Sequence, residues 1–158
     1  MRSPRYLVPL SDLRPYIEPL GNRIWDRDDI RLDDILTSVR ENRLQPMPWN
    51  TFNNTYEGLG EALGETARSF HVERIAYFVK NGVPNDYPIY LGFDNVNNGI
   101  RVLEGRHRIA AAFIRNEKTV EAAFLDDGLT RLLPNCELLP DPNVSNPALR
   151  KKFPSVDQ

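Results

Sequence analysis

The residues with the clearest chemical potential form the run Glu104-Gly105-Arg106-His107-Arg108. Gly105 can adopt backbone conformations that other residues avoid, and three side chains that can carry positive charge follow it. Cations in the first turn of a helix face the positive end of the helix dipole and repel one another. A bound phosphate would reverse both effects, because its oxygens accept from backbone N–H groups and from arginine together. The pattern therefore favours a phosphate site.

A purely structural explanation of the same run stays open. In it, Arg106 and Arg108 form ion pairs with Glu104 or other surface carboxylates, while His107 packs as a half-buried, hydrogen-bonded histidine. The letters Gly105 to Arg108 fit either explanation about equally well, because short motifs often match by chance. The surrounding elements have to separate the two.

Apolar spacing around this run predicts alternating strands and helices. The predicted strands are residues 5–10, 87–92, 100–103 and 119–125, with the middle two forming a hairpin. The predicted helices are residues 28–44, 57–67, 69–81 and 105–116. Gly105 thus stands where a strand passes into a helix, whose first N–H groups have no partner inside the helix.

The composition limits the classes of protein to which this chain can belong. The chain has 158 residues and a formal net charge of -2, which predicts one domain and no general affinity for nucleic acid. Proline and charged residues interrupt the apolar letters of the first twenty residues, so we expect a cytoplasmic protein with no membrane segment. Cys136 is the only cysteine, which excludes an internal disulfide.

Several other residues favour structural roles. His71 lies in a predicted helix, where a lone histidine most often belongs to the packing. Cys136 is expected to be an ordinary, partly buried thiol. Four aromatic residues could stack on a nucleotide base or an acceptor but more often form a satellite core. They are Trp25, Trp49, Phe52 and Tyr56.

Three stretches together resemble the ParB/sulfiredoxin superfamily: Tyr87-Pro88-Ile89-Tyr90, then Val102 to Ala111 with its G-x-H-R letters, then Thr119-Val120-Glu121-Ala122. The resemblance implies an α+β fold, a small mixed sheet with flanking helices and a helical insertion. It implies one domain over residues 1–133, with a core of 1–19 and 69–125 and an insertion over 20–68. Residues 134–158 are then a proline-rich tail.

The resemblance also implies a ligand. In this superfamily the equivalent turn holds nucleotide phosphates, so Gly105, Arg106, His107 and Arg108 would bind ATP or another nucleoside di- or triphosphate with Mg2+. Glu104 would either help hold the Mg2+ or orient Arg108. By similarity to the free serine kinases, Glu18 would be the catalytic base, and His107 would take part in catalysis. An ordinary solvated loop glutamate is an equally good interpretation of Glu18.

Departures from the superfamily narrow the choice of function. Sulfiredoxins carry their reactive cysteine where this chain has Arg106, so a reductase is not expected unless Cys136 replaces it. The proline-rich stretch after Phe124 leaves no evident place for the DNA-binding helices of ParB partition proteins. We therefore expect an ATP- or ADP-dependent phosphotransferase or NTPase acting on an unidentified small-molecule acceptor. The alternatives are a ParB-like module that binds nucleotide or nucleic acid without catalysis, and a scaffold with an empty site.

Overall fold

A computed structural model describes residues 4–48, 65–85, 87–96 and 98–140, without the side chain of Asp127. The chain has an α+β fold with a five-stranded mixed sheet and several helices. The strands are β1 (Arg5–Pro9), β2 (Ile89–Asp94), β3 (Gly99–Glu104), β4 (Thr119–Phe124) and β5 (Glu137–Leu138). The helices are α1 (Leu10–Leu13), α2 (Asn22–Trp25), α3 (Leu32–Arg40), α4 (Glu65–Asn81) and α5 (Arg106–Ile114). A 3-10 helix covers Asp127–Arg131.

The sheet has the strand order β3-β2-β4-β1-β5. Strands β2 and β4 run parallel, and every other neighbouring pair is antiparallel. The hairpin predicted from residues 87–103 is therefore confirmed, and the chain returns from β3 through α5 to β4 on the other side of β2. Pro9 ends the interior strand β1 opposite Thr119, where a missing N–H disturbs the ladder least.

Two apolar clusters hold the elements together. The first lies between the sheet and α5 and includes Val8, Ile89, Leu91 and Ile109. The second joins α3, α4 and α5 and includes Trp25 from α2. Three consecutive alanines, Ala110 to Ala112, are fully buried in α5, and such small side chains let another helix approach closely. The described part of the predicted insertion thus packs on the core helices.

The bounds of most elements differ from the predictions by a few residues, and three differences are larger. Helix α3 begins at Leu32 rather than near residue 28 and is followed by Asn42 with a left-handed φ of 57°. Residues 65–81 form one continuous helix, while most of the helix predicted over 57–67 lies outside the described residues. Glu137 and Leu138, in the predicted tail, pair with β1. No helix in the described ranges is long and apolar enough to cross a membrane.

Candidate functional site

Gly105 makes the turn from β3 into α5 in a left-handed conformation, with φ of 102°. A Cβ atom at this position would lie 3.1 Å from Ile89 Cγ1 and 3.0 Å from Arg108 Nη2, so both conformation and space favour glycine. The N–H of Ile109 donates to the carbonyl of Gly105 at 2.9 Å. The N–H groups of residues 106–108 precede this first helical bond, and the N-cap residue, Gly105, has no side chain that could cap them. The helix therefore presents backbone donors at the predicted turn.

Arg108 joins this turn to the segment before β2. Its guanidinium donates to the backbone carbonyls of Tyr87 and Pro88. Burial lowers the pKa of Arg108, while the nearby Glu104 carboxylate raises it, and the group stays cationic at neutral pH because arginine titrates far above that range. Glu104 is exposed and acts on Arg108 through its charge. The two carbonyls thus accept hydrogen bonds from Arg108 without neutralising its positive charge.

Arg106 lies over the indole of Trp25. Its guanidinium carbon is 4.9 Å from the ring centroid, and its Nη1 donates to the carbonyl of Ile24 at 3.4 Å. Burial lowers the pKa of Arg106, and the charge of Asp26 opposes that effect. Arg106 thereby connects the start of α5 to α2, which belongs to the predicted insertion.

His107 points into the protein rather than towards solvent. Its Nε2 lies 2.9 Å from Nδ1 of His71 on α4, and the two rings stack with centroids 5.1 Å apart. His71 is 4% exposed and His107 is 9% exposed. The ring of Trp25 lies 5.0 Å from each imidazole, and that of Phe70 lies 5.8 Å from each. We call this group, Trp25, Phe70, His71 and His107, the histidine cluster.

Both imidazoles of the histidine cluster are neutral at neutral pH. Burial, followed by the charges of Arg106 and Arg27, lowers the pKa of His71 to about 3, with Asp29 opposing. Burial also lowers the pKa of His107 well below its usual value, and the neighbouring His71, Arg106, Arg74 and Arg108 add to that effect. In this conformation the ring of His107 can therefore donate or accept a hydrogen bond, but it carries no charge.

Glu18 lies in a groove between residues 14–24 and the edge strand β3. The groove has a volume of about 960 Å³ and includes Arg14, Glu18, Arg23, Asp94 and Arg101 in its lining. Asp94 is 8% exposed and pairs with Arg23, whereas Arg14, Glu18 and Arg101 are exposed. The groove therefore offers charges of both signs to a small polar molecule.

The groove adjoins the Gly105 turn without containing it. Ile24, whose carbonyl accepts from Arg106, lines the groove, and so does Leu103, two residues before Gly105. Residues 104–108 are not among its lining residues. The structure thus places Glu18 and the turn on neighbouring surfaces, and their predicted roles stay predictions.

A Mg2+ ion would have to rely largely on a bound nucleotide for its ligands. The described residues contain no group of three or more histidine, cysteine or acidic side chains that could hold a metal. Glu104 fits only the role of a single exposed carboxylate beside a phosphate chain, a common mode of Mg2+ binding in nucleotide sites. Cys136 is half-buried, and burial raises the pKa of its thiol, which opposes a reactive thiolate.

His71 is the main residue of this region that sequence reasoning did not connect with the site. A lone helical histidine predicts a packing role, and no local pattern shows that its partner is the histidine of the G-x-H-R run. Trp25 was expected to favour a satellite core, and it does lie in the second apolar cluster. Comparison with protein-family models, curated proteins and solved structures found no match for the chain.

Proposed function

We propose that this protein binds a nucleoside di- or triphosphate with its phosphates at the Gly105 turn, on a ParB/sulfiredoxin-like form of its α+β fold. The observation that carries the proposal is the start of α5, where three backbone N–H groups follow a left-handed glycine that has no side chain to cap them. Oriented N–H groups at the positive end of a helix dipole form a favourable anion site.

The arginines of the turn strengthen this argument. Arg106 and Arg108 both donate to backbone carbonyls. In these hydrogen bonds the partners are carbonyls rather than Glu104 or other surface carboxylates, whereas His107 does pack as a buried, hydrogen-bonded histidine, as the structural explanation expects. A carbonyl satisfies a donor but does not neutralise a positive charge, so the turn keeps its electrostatic attraction for a polyanion.

Phosphoryl transfer to a small acceptor, or to water, is the chemistry that suits the neighbouring groove. Such a reaction needs a positioned phosphate, neutralisation of its charge and a carboxylate that orients or deprotonates the attacking hydroxyl. Glu18 would supply that carboxylate, and Mg2+ held by the phosphates and Glu104 would supply charge neutralisation. His107 would contribute its backbone N–H in this conformation, because its ring is engaged with His71.

Titration calorimetry with ATP, ADP, CTP and duplex DNA tests the proposal, using the wild type, Arg108→Ala and Arg115→Ala. Arg115 is the matched control, since it lies just past the other end of α5 and its Nη1 also donates to a backbone carbonyl, that of Val79, at 2.6 Å. We expect Arg108→Ala to weaken nucleotide binding about 10- to 100-fold through the loss of charged hydrogen bonds. Arg115→Ala should change it less than about twofold.

A phosphate-release assay on the same proteins separates an enzyme from a binding module. Turnover that Arg108→Ala removes and Arg115→Ala preserves supports the phosphotransferase or NTPase. Tight duplex binding that is indifferent to nucleotide would instead favour the DNA-associated alternative. No affinity for any nucleotide would overturn the proposal.

A further inference from the structure

The contact between His71 and His107 joins the middle of α4 to the first turn of α5. The two residues are 36 positions apart in sequence, and their rings meet through one close approach, Nδ1 of His71 to Nε2 of His107 at 2.9 Å. Trp25 and Phe70 contact both rings and leave both of them buried. A polar pair in such surroundings is stabilising only while its hydrogen bond is made.

The geometry of this bond constrains where both protons sit. A neutral imidazole carries one N–H and one acceptor nitrogen. If His71 donates from Nδ1, then Nε2 of His107 is the acceptor and the proton of His107 is on Nδ1. If His107 donates from Nε2, then Nδ1 of His71 is the acceptor and the proton of His71 is on Nε2. In either case the two rings carry their protons on the nitrogen of the same name.

We propose that His71 is a positioning residue, which fixes the tautomer and orientation of His107 and thereby holds the first turn of α5 in place. The proposal rests on the proposed function, since the turn that His71 holds is the one whose N–H groups would receive phosphate. Those N–H groups move with the backbone of His107, and a buried hydrogen bond on its side chain restricts that movement. Hydrogen-bonded partners of ligand residues commonly act in this way.

Histidine nitrogen NMR tests the pair without any nucleotide. The chain has two histidines, so the ring nitrogens of a 15N-labelled sample give an unambiguous pattern near neutral pH. We expect one tautomer for each ring, with the proton on the same nitrogen in both, and a 15N–15N coupling between Nδ1 of one ring and Nε2 of the other. Different tautomers in the two rings, or rapid exchange between tautomers, would overturn the proposal.

Two variants at position 71 then separate positioning from simple packing. His71→Asn places an amide near the position of Nδ1 and can still bond Nε2 of His107. His71→Phe keeps a ring in the cluster but removes the hydrogen bond. We expect His71→Phe to weaken ATP binding about tenfold, as for a buried hydrogen bond removed on one side, and His71→Asn to stay within about threefold of the wild type.

Each result has a distinct meaning. Equal ATP affinity in the wild type and His71→Phe would overturn the positioning role and leave the nucleotide proposal standing. Equal losses in His71→Asn and His71→Phe would also overturn it, because packing alone would then explain the effect. A wild type that shows the 15N–15N coupling but binds no nucleotide would overturn the proposed function, and the role of His71 in it, while the pair itself remained. If His71→Phe does not fold, the NMR pattern still tests the pair, and a loss of ATP affinity in His71→Asn well beyond about threefold would overturn the positioning role.

Discussion

Acidification from about pH 7.5 to about pH 5 should lower the free energy of unfolding by at least about 2 kcal/mol, because the buried His71 resists protonation and the buried His107 acts in the same direction. Burial is the largest cause of the lowered pKa of each residue, and the pKa of His71 falls from 6.5 to about 3. Between these values the unfolded chain binds a proton that the folded chain does not. The contribution of the neutral histidines to the free energy of unfolding is therefore fully present above the pKa of histidine in the unfolded chain. It decreases as the pH falls below that value.

The magnitude follows from the distance in pH below the unfolded pKa. A pH of about 5 lies roughly 1.5 pH units below the ordinary pKa of histidine, and each pH unit corresponds to about 1.36 kcal/mol. His71 thus contributes about 2 kcal/mol, a large share of the stability of an ordinary domain, and His107 adds to this contribution in the same direction. Most carboxyl groups titrate below this range, so the window reports mainly on the two histidines of the chain.

Urea unfolding at a series of pH values measures this effect. The matched variant is His71→Asn, which keeps a hydrogen-bonding group beside His107 but removes one titrating ring. Its acid loss over the same window should be smaller than that of the wild type by about 2 kcal/mol, which is the contribution of His71. A wild-type loss below about 1 kcal/mol would refute the reasoning, since it would mean that the folded protein accepts the protons as readily as the unfolded chain.

Three further predictions concern the turn, the second core cluster and the groove. Gly105→Ala should lower the free energy of unfolding by more than the roughly 1–2 kcal/mol expected for Gly82→Ala. Both glycines have positive φ, but of the two only Gly105 has a side-chain atom within about 3 Å of the added methyl group. Equal urea midpoints for the two variants would contradict this prediction. Ile35→Ala should cost about 2–5 kcal/mol in the same assay, whereas Leu32→Ala, at a position 45% exposed, should cost far less; similar losses would count against the described core. Glu18→Gln should retain nucleotide affinity but slow phosphate release about 10²- to 10⁴-fold, and unchanged turnover would exclude Glu18 as the base.

The strands and helices next to the candidate turn could be predicted from sequence because their signals are local. The β2–β3 hairpin and α5 follow from the change between alternating and helical apolar spacing, and Gly105 marks the junction between them. Helix α3 was expected to begin near residue 28, but it begins at Leu32. Helix ends depend on capping and tertiary contacts as well as on periodicity, which makes them harder to predict.

The partners of the turn residues could not be predicted in the same way. The approach of His71 to His107, and of Trp25 to both, depends on how α2, α4 and α5 pack, and sequence spacing carries no information about distant faces that meet. Arg106 and Arg108 donate hydrogen bonds to backbone carbonyls. Because every residue type has a backbone carbonyl, the residue types in the sequence do not indicate these contacts. The sequence by itself determined where a turn with positive charge lies. Only the tertiary structure decided which of its side chains face inward, because that choice is made by the surfaces packed against it.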